Sequence, residues 1–205
     1  GSALSPEELI NPTSTLTGNK PVLKATKHWY LPMDRYENWL KDWILKGHKH
    51  DWRASVYGQC KSWIDGGLAA RAITRDLDWG VPVPVEGAEG KVMYVWFDAP
   101  IGYMSITEQL VGEKWTDWWQ NKDVDIYQFM GKDNIPFHSI IFPASIMAAS
   151  ADQNNPEYNV VHHLNSTEYL NYESTKFSKS RGTGVFGDDA KNSGIASDVY
   201  RYTLL

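Results

Sequence analysis

Three positive charges and two hydroxyl groups lie close together in the stretch Lys176-Phe177-Ser178-Lys179-Ser180-Arg181, and a glycine follows at position 182. Lysine and arginine are rarely buried without partners, so this stretch must be exposed. A solvated basic loop is the simplest interpretation of such a run. The alternative is a mobile phosphate clamp, in which ammonium groups act as point charges while hydroxyl and backbone N–H groups donate hydrogen bonds. We call residues 176–182 the clamp loop, and the two interpretations have to be separated by the rest of the chain.

Two predicted strands upstream of the clamp loop end in residues suited to ligand binding. One expected strand, 124–130, runs into Gly131, Lys132 and Asp133, with His138 one helical turn later. Glycine lets a ligand approach the backbone, and an acid at such a position can accept hydrogen bonds from a ribose. A strand-end aspartate is equally often a helix cap, so Asp133 alone proves little.

The other strand end comes earlier, where the expected strand 91–97 leads into Asp98, Ala99, Pro100 and Tyr103. In doubly wound sheets ligands bind outside the carboxyl ends of the strands. The two strand ends and the clamp loop, which follows a third expected strand at 158–164, would therefore converge on one edge. The order of the three features predicts a ligand site much more strongly than any one of them.

Helices and strands alternate along the chain. Helical spacing of apolar residues predicts helices at 34–47, 55–65, 101–110, 114–120, 136–149 (kinked at Pro143) and from Ser197 onward. Further strands are expected at 27–32 and 70–76, with a hairpin around 173–175. The run 91–97, apolar on both faces, is typical of a central parallel strand. This alternation predicts an α/β layer with a mostly parallel sheet.

Several residues that could carry chemistry are more simply explained by packing. Trp39 and Trp43 fall on the apolar face of the first long helix, and Cys60 and Trp63 are expected to point inward from the second. The pair His48 and His50 has no third ligand nearby and is expected to be solvated.

Composition excludes several function classes. The chain has 205 residues, 42% of them hydrophobic, and a formal net charge of -5, which disfavours general binding of nucleic acid. The single cysteine excludes an internal disulfide and a cysteine-based metal site, and fits a reducing compartment, so we expect a cytoplasmic protein. No apolar run approaches 18 residues, and none predicts a membrane span. The chain begins with Gly1-Ser2 and ends in mid-pattern at Leu205, so we expect it to be a piece of a longer protein.

Longer blocks of sequence carry a family resemblance. Residues 176–180 resemble the Lys-Met-Ser-Lys-Ser signature of class I aminoacyl-tRNA synthetases, with phenylalanine in place of methionine. Residues 96–103 and 131–139 resemble two blocks of the methionyl-tRNA synthetases, and 27–31 and 73–76 match that family at the end of its inserted domain. The blocks occur in the family's order and the resemblance covers essentially the whole chain.

This resemblance implies a role for each matching residue. The methionine side chain would be surrounded by Trp96, Ala99, Pro100, Tyr103, Ile135, His138 and Phe142. ATP would be held at the ribose by Gly131 and Asp133, beside the adenine by Val161, and at the triphosphate by the catalytic residues Lys176, Ser178, Lys179 and Ser180. Arg75 matches an arginine implicated near the aminoacyl-adenylate and the tRNA 3′ end.

The resemblance also implies fold, reaction and partners. It implies an α/β, partial Rossmann-type parallel sheet with flanking helices, divided into the end of an inserted connective segment (1–67), the second half of the catalytic domain (68–186) and the start of a helical region (187–205). Methionine would attack ATP to give methionyl-adenylate, and a methionine tRNA would then accept the amino acid. Mg²⁺ would accompany ATP, with neither zinc ligands nor other metal ligands supplied by this chain.

One part of the family's pattern is missing. No His-Ile-Gly-His motif is present, since residues 47–50 have the wrong identities and follow a helix. The chain is therefore expected to be inactive alone and to need an amino-terminal half as partner. A non-catalytic module that binds RNA or protein remains an alternative, as does another aliphatic class I synthetase, although residues 96–103 favour methionine.

Overall fold

A computed structural model describes residues 10–14, 17–150 and 158–204 of the chain. Its α-helices are α1 (Glu37–Leu40), α2 (Ala54–Asp65), α3 (Val95–Asp98), α4 (Ile101–Val111), α5 (Thr116–Trp119), α6 (Phe142–Ala149), α7 (Gly187–Asn192) and α8 (Ser197–Thr203). Its strands are β1 (Tyr30–Leu31), β2 (Arg71–Ala72), β3 (Thr74–Arg75), β4 (Val92–Met93), β5 (Tyr127–Gly131), β6 (His163–Thr167), β7 (Asn171–Tyr172) and β8 (Thr175–Lys176). The helices predicted from apolar spacing are confirmed with shifts of a few residues at their ends.

The strands form four pairs. β5 and β6 run parallel, with Gly131 opposite Thr167 at their carboxyl ends. The pairs β1–β2, β3–β4 and β7–β8 are antiparallel, and the last is the predicted hairpin, whose turn holds Glu173 and Ser174 at positive φ. The predicted α/β class is therefore confirmed, with β5 and β6 as its parallel pair within the described residues.

The prediction of a central parallel strand over 91–97 is wrong. Only Val92–Met93 is a strand, and it pairs antiparallel with β3. The Tyr94 carbonyl then accepts a hydrogen bond from the Phe97 N–H at 2.7 Å, and Val95–Asp98 forms α3. A short apolar run does not distinguish a strand from a turn of helix, which is the physical origin of the error. The consequence is that Trp96, half exposed, projects from a helix.

The main hydrophobic core lies between α1 with the π-helical turn that follows it (Lys41–Gly47), α2, and the chain from Ile135 to α6. Its most deeply buried side chains are Leu40, Ile44, Val56, Cys60, Ile64, Ile135 and Ile140. Trp39 and Trp43 stack on each other with ring centroids 5.1 Å apart and pack against this core, which confirms the predicted packing stripe. Trp63 is 37% exposed, so its predicted inward position is wrong.

The domain division predicted at residue 67 stays a prediction, and residues 1–9 of its first part lie outside the described residues. The main core draws residues from both sides of this boundary: Leu40 and Val56 precede it, whereas Ile140 and Leu164 follow it. The residues on the two sides of this predicted boundary are therefore packed in one core.

The helix predicted at 136–149 consists of two forms of helix. Phe137–Ile141 is a π-helical turn, and α6 follows with Pro143 in its first turn. Proline has no N–H to donate to the preceding turn, so a wider turn just before it is the expected result. The predicted site residue His138 lies in this π-helical turn, and its ring contacts Tyr103 of α4.

Candidate functional site

A chain of aromatic rings connects the two predicted blocks of the methionine pocket. Trp96 lies edge-on to Phe137 with ring centroids 5.7 Å apart, and Phe137 lies edge-on to His138 at 5.5 Å. The ring of Tyr103 follows, 5.7 Å from His138 and 6.3 Å from Phe142. Such edge-on and tilted arrangements are the favoured geometries of aromatic pairs. The structure therefore brings α3, α4 and the π-helical turn together.

Hydrogen bonds fix the protonation and orientation of His138. Its Nδ1 lies 2.9 Å from the carbonyl oxygen of Asn134, which can only accept, so Nδ1 carries the proton and donates. In the neutral ring Nε2 then accepts, and the hydroxyl of Tyr103 donates to it at 2.8 Å. Burial lowers the pKa of His138 and outweighs the bond to Asn134, which raises it. His138 is thus held as a neutral imidazole.

An apolar cavity of about 450 Å³ opens beside this ring chain. Two predicted pocket residues, Pro100 and Phe142, lie on its wall, and both are buried. The remaining lining residues come from the strand and helices nearby: Met93, Phe97, Asp98, Ile101, Met104, Ser105, Glu108, Trp115, Ser145, Ile146, Ala149 and Tyr158. A cavity of this volume is within the usual range for pockets that bind a small-molecule ligand.

The other predicted pocket residues lie at different depths. Ala99 is exposed at the end of α3, where its N–H donates to the Val95 carbonyl at 2.9 Å. Ile135 is 1% exposed and belongs to the main core. Ile135 therefore anchors the start of the π-helical turn in the main core.

The carboxyl end of β5 carries the predicted ribose site. Gly131 ends the strand, and Asp133 lies exposed in a single 3₁₀ turn, Lys132–Asn134. A side chain at Gly131 would meet no heavy atom within 4 Å, so the space over its backbone is open. Val161, predicted beside the adenine, is 4% exposed within the main core, and that role stays a prediction.

The clamp loop is a closed turn built on the β7–β8 hairpin. Ser178 pairs with Thr183 through N–H to carbonyl hydrogen bonds of 2.9 and 3.1 Å in the two directions. Between them Lys179–Arg181 forms a 3₁₀ turn that ends at Gly182 in the left-handed conformation. The hydroxyls of Ser178 and Ser180 lie 3.3 Å apart. Lys179 and Ser180 are exposed, as a group that has to reach a triphosphate must be.

Phe177 anchors this turn to the hairpin. Its ring lies edge-on to Tyr172 at 5.7 Å and to Phe186 at 6.4 Å. Gly184 leaves room for the ring, because a Cβ there would lie 2.7 Å from Phe177 Cε1 and closer still to Cδ1. The apolar residue at the second position of the signature is thus a packing anchor.

The clamp loop and the end of β5 meet at Tyr169. The Lys176 ammonium lies 4.2 Å from the centroid of the Tyr169 ring, and the Lys132 ammonium lies 5.3 Å from the same centroid. Lys132 also forms an ion pair with Glu168. The structure thus brings Lys176 to the strand end that carries Gly131.

Arg75 lies on a second cavity, lined in part by Tyr94 and Asp98. Its Nη1 donates to the carbonyl oxygens of Thr74 at 2.8 Å and Ala72 at 3.3 Å, and the guanidinium stacks 3.7 Å over the Tyr94 ring. These contacts fix the guanidinium plane and leave its remaining N–H groups available to a ligand.

Sequence reasoning missed three contributors to these sites. Phe137 packs against the main core and also links Trp96 to His138. Tyr94 and Tyr169 were not singled out, although each lies under a cation. The available signal was an aromatic residue near predicted cationic residues in the sequence. Tyr94 lies 19 residues after Arg75, however, and a contact over that separation cannot be predicted from helical or strand spacing.

Comparisons with known proteins agree with this geometry. The profile of the family described as tRNA synthetases class I (M) matches residues 1–205. The chain is 52% identical over 205 residues to methionine–tRNA ligase of Phocaeicola vulgatus and 50% identical to that of Porphyromonas gingivalis, in each case over 100% of this chain and 29% of the relative. The chain therefore spans less than a third of the length of these curated relatives.

The fold is similar to that of a solved relative. The crystal structure of Mycobacterium tuberculosis methionyl-tRNA synthetase bound by methionyl-adenylate superposes with a TM-score of 0.69 and 26% identity, over 94% of this chain and 35% of that one. Because the family profile spans all 205 residues and these relatives match the whole chain, the resemblance seen in the sequence is confirmed: the chain belongs to the class I tRNA synthetases (M), the family of the methionyl-tRNA synthetases.

Proposed function

We propose that this chain is the methionine-binding and phosphate-clamping half of a methionine–tRNA ligase. In the first step the carboxylate of methionine attacks the α-phosphate of ATP and pyrophosphate leaves. In the second, a hydroxyl of the terminal tRNA ribose attacks the activated carbonyl and AMP leaves. The observation that carries the proposal is the ring chain from Trp96 to Phe142, closed by the hydrogen bond between Tyr103 and His138.

The ring chain suits a thioether. Sulfur makes favourable contacts with aromatic edges and faces, and a shaped apolar wall excludes branched competitors by about 1–3 kcal/mol for each methylene. The neutral His138 keeps charge out of the pocket, and Tyr103 is held so that its hydroxyl points at His138. Methionine is therefore favoured over leucine, isoleucine and valine.

The clamp loop acts in the first step. Negative charge grows on the leaving pyrophosphate, and Lys176 and Lys179 can stabilise it as point charges, with the Ser178 and Ser180 hydroxyls as donors. Gly131 and Asp133 hold the ribose at the end of β5. Mg²⁺ belongs to the phosphates of ATP, its usual ligands in such sites. The described residues contain no group of three or more His, Cys, Asp or Glu side chains arranged for a metal.

An amino-terminal half of the catalytic domain is the partner that fits the uncovered side of β5. Tyr127 and Phe129 are 58% and 76% exposed on one face of this strand, although parallel strands are normally covered on both faces. A segment packed on this face of β5 would cover both rings. Gln128 Oε1 on the same strand and Asp98 Oδ1 on α3 are buried without a hydrogen-bond partner among the described residues.

The described part of the chain contains no helix that is both long and apolar enough to cross a membrane. A cytoplasmic location is supported by the single, buried Cys60, which fits a reducing compartment. The acceptor in the second step is a methionine tRNA, with Arg75 placed toward its 3′ end.

A chimera tests the proposal. Residues 1–205 replace the aligned segment of the Phocaeicola vulgatus ligase, which supplies the remaining 71% of the sequence from a relative with 52% identity. We expect methionine-dependent exchange between pyrophosphate and ATP, with no exchange for leucine, isoleucine or valine. Lys179→Ala in the chimera should lower the exchange rate about 100-fold, the usual effect of losing one transition-state donor.

Folding of the chimera is checked by circular dichroism and by a cooperative thermal transition. A folded chimera without methionine-dependent exchange would show that the proposal is wrong and would favour the non-catalytic binding module. Exchange that responds equally to leucine would assign the pocket to another aliphatic synthetase.

A further inference from the structure

The cluster around Tyr169 is not explained by the roles assigned so far. Tyr169 follows β6 and is 40% exposed, yet its ring faces two ammonium groups, those of Lys176 and Lys132. Lys132 is also held by Glu168, whereas Lys176 has the closer approach to the ring, at 4.2 Å. A cation within about 6 Å of an aromatic centroid is attracted by the ring.

We infer that Tyr169 is a positioning residue that docks the first lysine of the clamp loop at the nucleotide-binding end of β5 before ATP arrives. This inference rests on the proposed function. The ring belongs to the β6–β7 connection, which the parallel register fixes beside Gly131 through its pairing with Thr167. Lys176 ends the β7–β8 hairpin. The contact therefore joins the paired end of β5 and β6 to the base of the clamp loop.

The contact with Tyr169 preorganises Lys176 for the phosphates. An exposed lysine side chain loses rotamer entropy when it is fixed on a ligand. The contact with Tyr169 already restricts the Lys176 side chain in the free protein, so less rotamer entropy is lost when the phosphates bind. A cation–π contact at an exposed site is weak enough to break, so it does not hold the lysine away from ATP.

The Tyr169 ring also offsets the repulsion between Lys132 and Lys176. Two ammonium groups over one ring repel each other, and Glu168 neutralises only the one to which it is paired. The face of Tyr169 provides negative potential for the other. Replacing the ring by an aliphatic side chain should therefore release Lys176 rather than Lys132.

The kinetic test uses the chimera. Tyr169→Leu should lower kcat/KM for ATP about two- to fivefold, which corresponds to the strength of an exposed cation–π pair, and leave KM for methionine unchanged. Tyr169→Phe keeps the ring and should restore the rate. Tyr202→Leu makes the same change at a tyrosine that is 81% exposed on α8 and serves as the matched control. In a Lys176→Met background, Tyr169→Leu should have no further effect.

A second measurement needs no activity and uses the 205-residue chain itself. Reductive ¹³C-methylation keeps each lysine charged and gives it an NMR signal, and Lys176→Arg identifies the signal of Lys176. We expect an upfield ring-current shift for Lys176 that Tyr169→Leu abolishes and Tyr169→Phe retains.

The outcomes separate this inference from the proposed function. A ring-current shift in the chain, with a folded but inactive chimera, would support the docking contact and contradict the ligase proposal. An active chimera in which Tyr169→Leu equals the unsubstituted protein, raises KM for methionine, or matches Tyr169→Phe would overturn the role of the ring. An unshifted Lys176 signal would overturn the contact itself.

Discussion

The hydroxyl of Tyr103 donates to Nε2 of His138 across 2.8 Å, and this bond joins α4 to the π-helical turn before α6. The two residues are 35 positions apart in the sequence. Because Nδ1 of His138 is committed to the Asn134 carbonyl, Nε2 has one role left, which is to accept. The bond therefore fixes the tautomer of one residue and the hydroxyl direction of the other.

Removing this hydroxyl should cost stability as well as affinity. Tyr103→Phe leaves Nε2 of the buried His138 without its donor, which typically costs about 1–3 kcal/mol. We expect the low end of that range, because Tyr103 is 44% exposed and water can enter. Urea unfolding of the 205-residue chain measures the change in the free energy of unfolding.

The control for this change is Tyr202→Phe, on a tyrosine that is 81% exposed. It should leave the free energy of unfolding within about 0.5 kcal/mol of the original value. Equal stability for Tyr103→Phe and the unsubstituted chain would contradict the assigned bond. In the chimera, Tyr103→Phe should also raise KM for methionine.

Stability should decrease as the solution becomes mildly acidic. Burial lowers the pKa of His138 below its ordinary value of 6.5. Below that value the unfolded chain takes up a proton that the folded chain resists, so the free energy of unfolding falls as pH drops until the folded-state pKa is reached. Burial lowers the pKa of His28 and His162 as well, and they contribute with the same sign.

The variant His138→Gln isolates the share of one histidine. Urea unfolding between about pH 8 and pH 5, where histidine titrates, should give a smaller loss of stability for the variant than for the unsubstituted chain. A pH dependence that is identical in both would show that His138 titrates alike in the folded and unfolded states. His50, an exposed histidine, provides the comparison variant His50→Gln, which makes the same change of residue type outside the ring chain.

The sequence predicted the parts of the site that follow from order along the chain. The hairpin before Phe177 and the end of the strand before Gly131 are local features, and the structure has both of them. It could not predict that Trp96 lies on a helix, since an apolar run has the same composition in a buried strand and a helical turn. The contacts of Lys176 with Tyr169 depend on the register of β5 and β6, which no local pattern contains.

Gly184 should be needed for the clamp loop to form. Its φ of 129° is rarely adopted by residues with side chains, and a Cβ would collide with the Phe177 ring. Gly184→Ala should therefore push Phe177 away from Tyr172 and Phe186. We expect the exchange rate of the chimera to fall at least tenfold, which corresponds to an increase of about 1.4 kcal/mol in the activation free energy.

Gly187→Ala is the matched control, because a Cβ at Gly187 meets no heavy atom within 4 Å and its φ is not positive. It should keep the exchange rate of the unsubstituted chimera. A Gly184→Ala chimera with full activity would show that Phe177 can move without opening the loop.

Cys60 should be inert toward thiol reagents in the folded chain. Burial raises the pKa of its thiol to about 11, and its Sγ contacts the hydroxyl of Ser139 at 3.2 Å in the main core. The thiolate is the reactive form, so at about pH 8 the folded chain should react with a disulfide reagent only as fast as it unfolds. The reaction is followed by absorbance with and without 6 M guanidinium, used at roughly the concentration that unfolds stable domains. Rapid reaction of the native chain would contradict the burial of this residue.

The 205-residue chain on its own should not catalyse methionine-dependent pyrophosphate exchange. The clamp loop and the ring chain belong to this chain, whereas the residues that would face them across ATP belong to the proposed partner half, which would dock on the exposed face of β5. Electrostatic stabilisation of the leaving pyrophosphate requires donors on both sides and exclusion of water, and an open site provides neither. Exchange is measured with labelled pyrophosphate at millimolar methionine and ATP, with the chimera as the positive control. Exchange by the purified chain that Lys179→Ala abolishes would show that this half alone suffices for methionine activation.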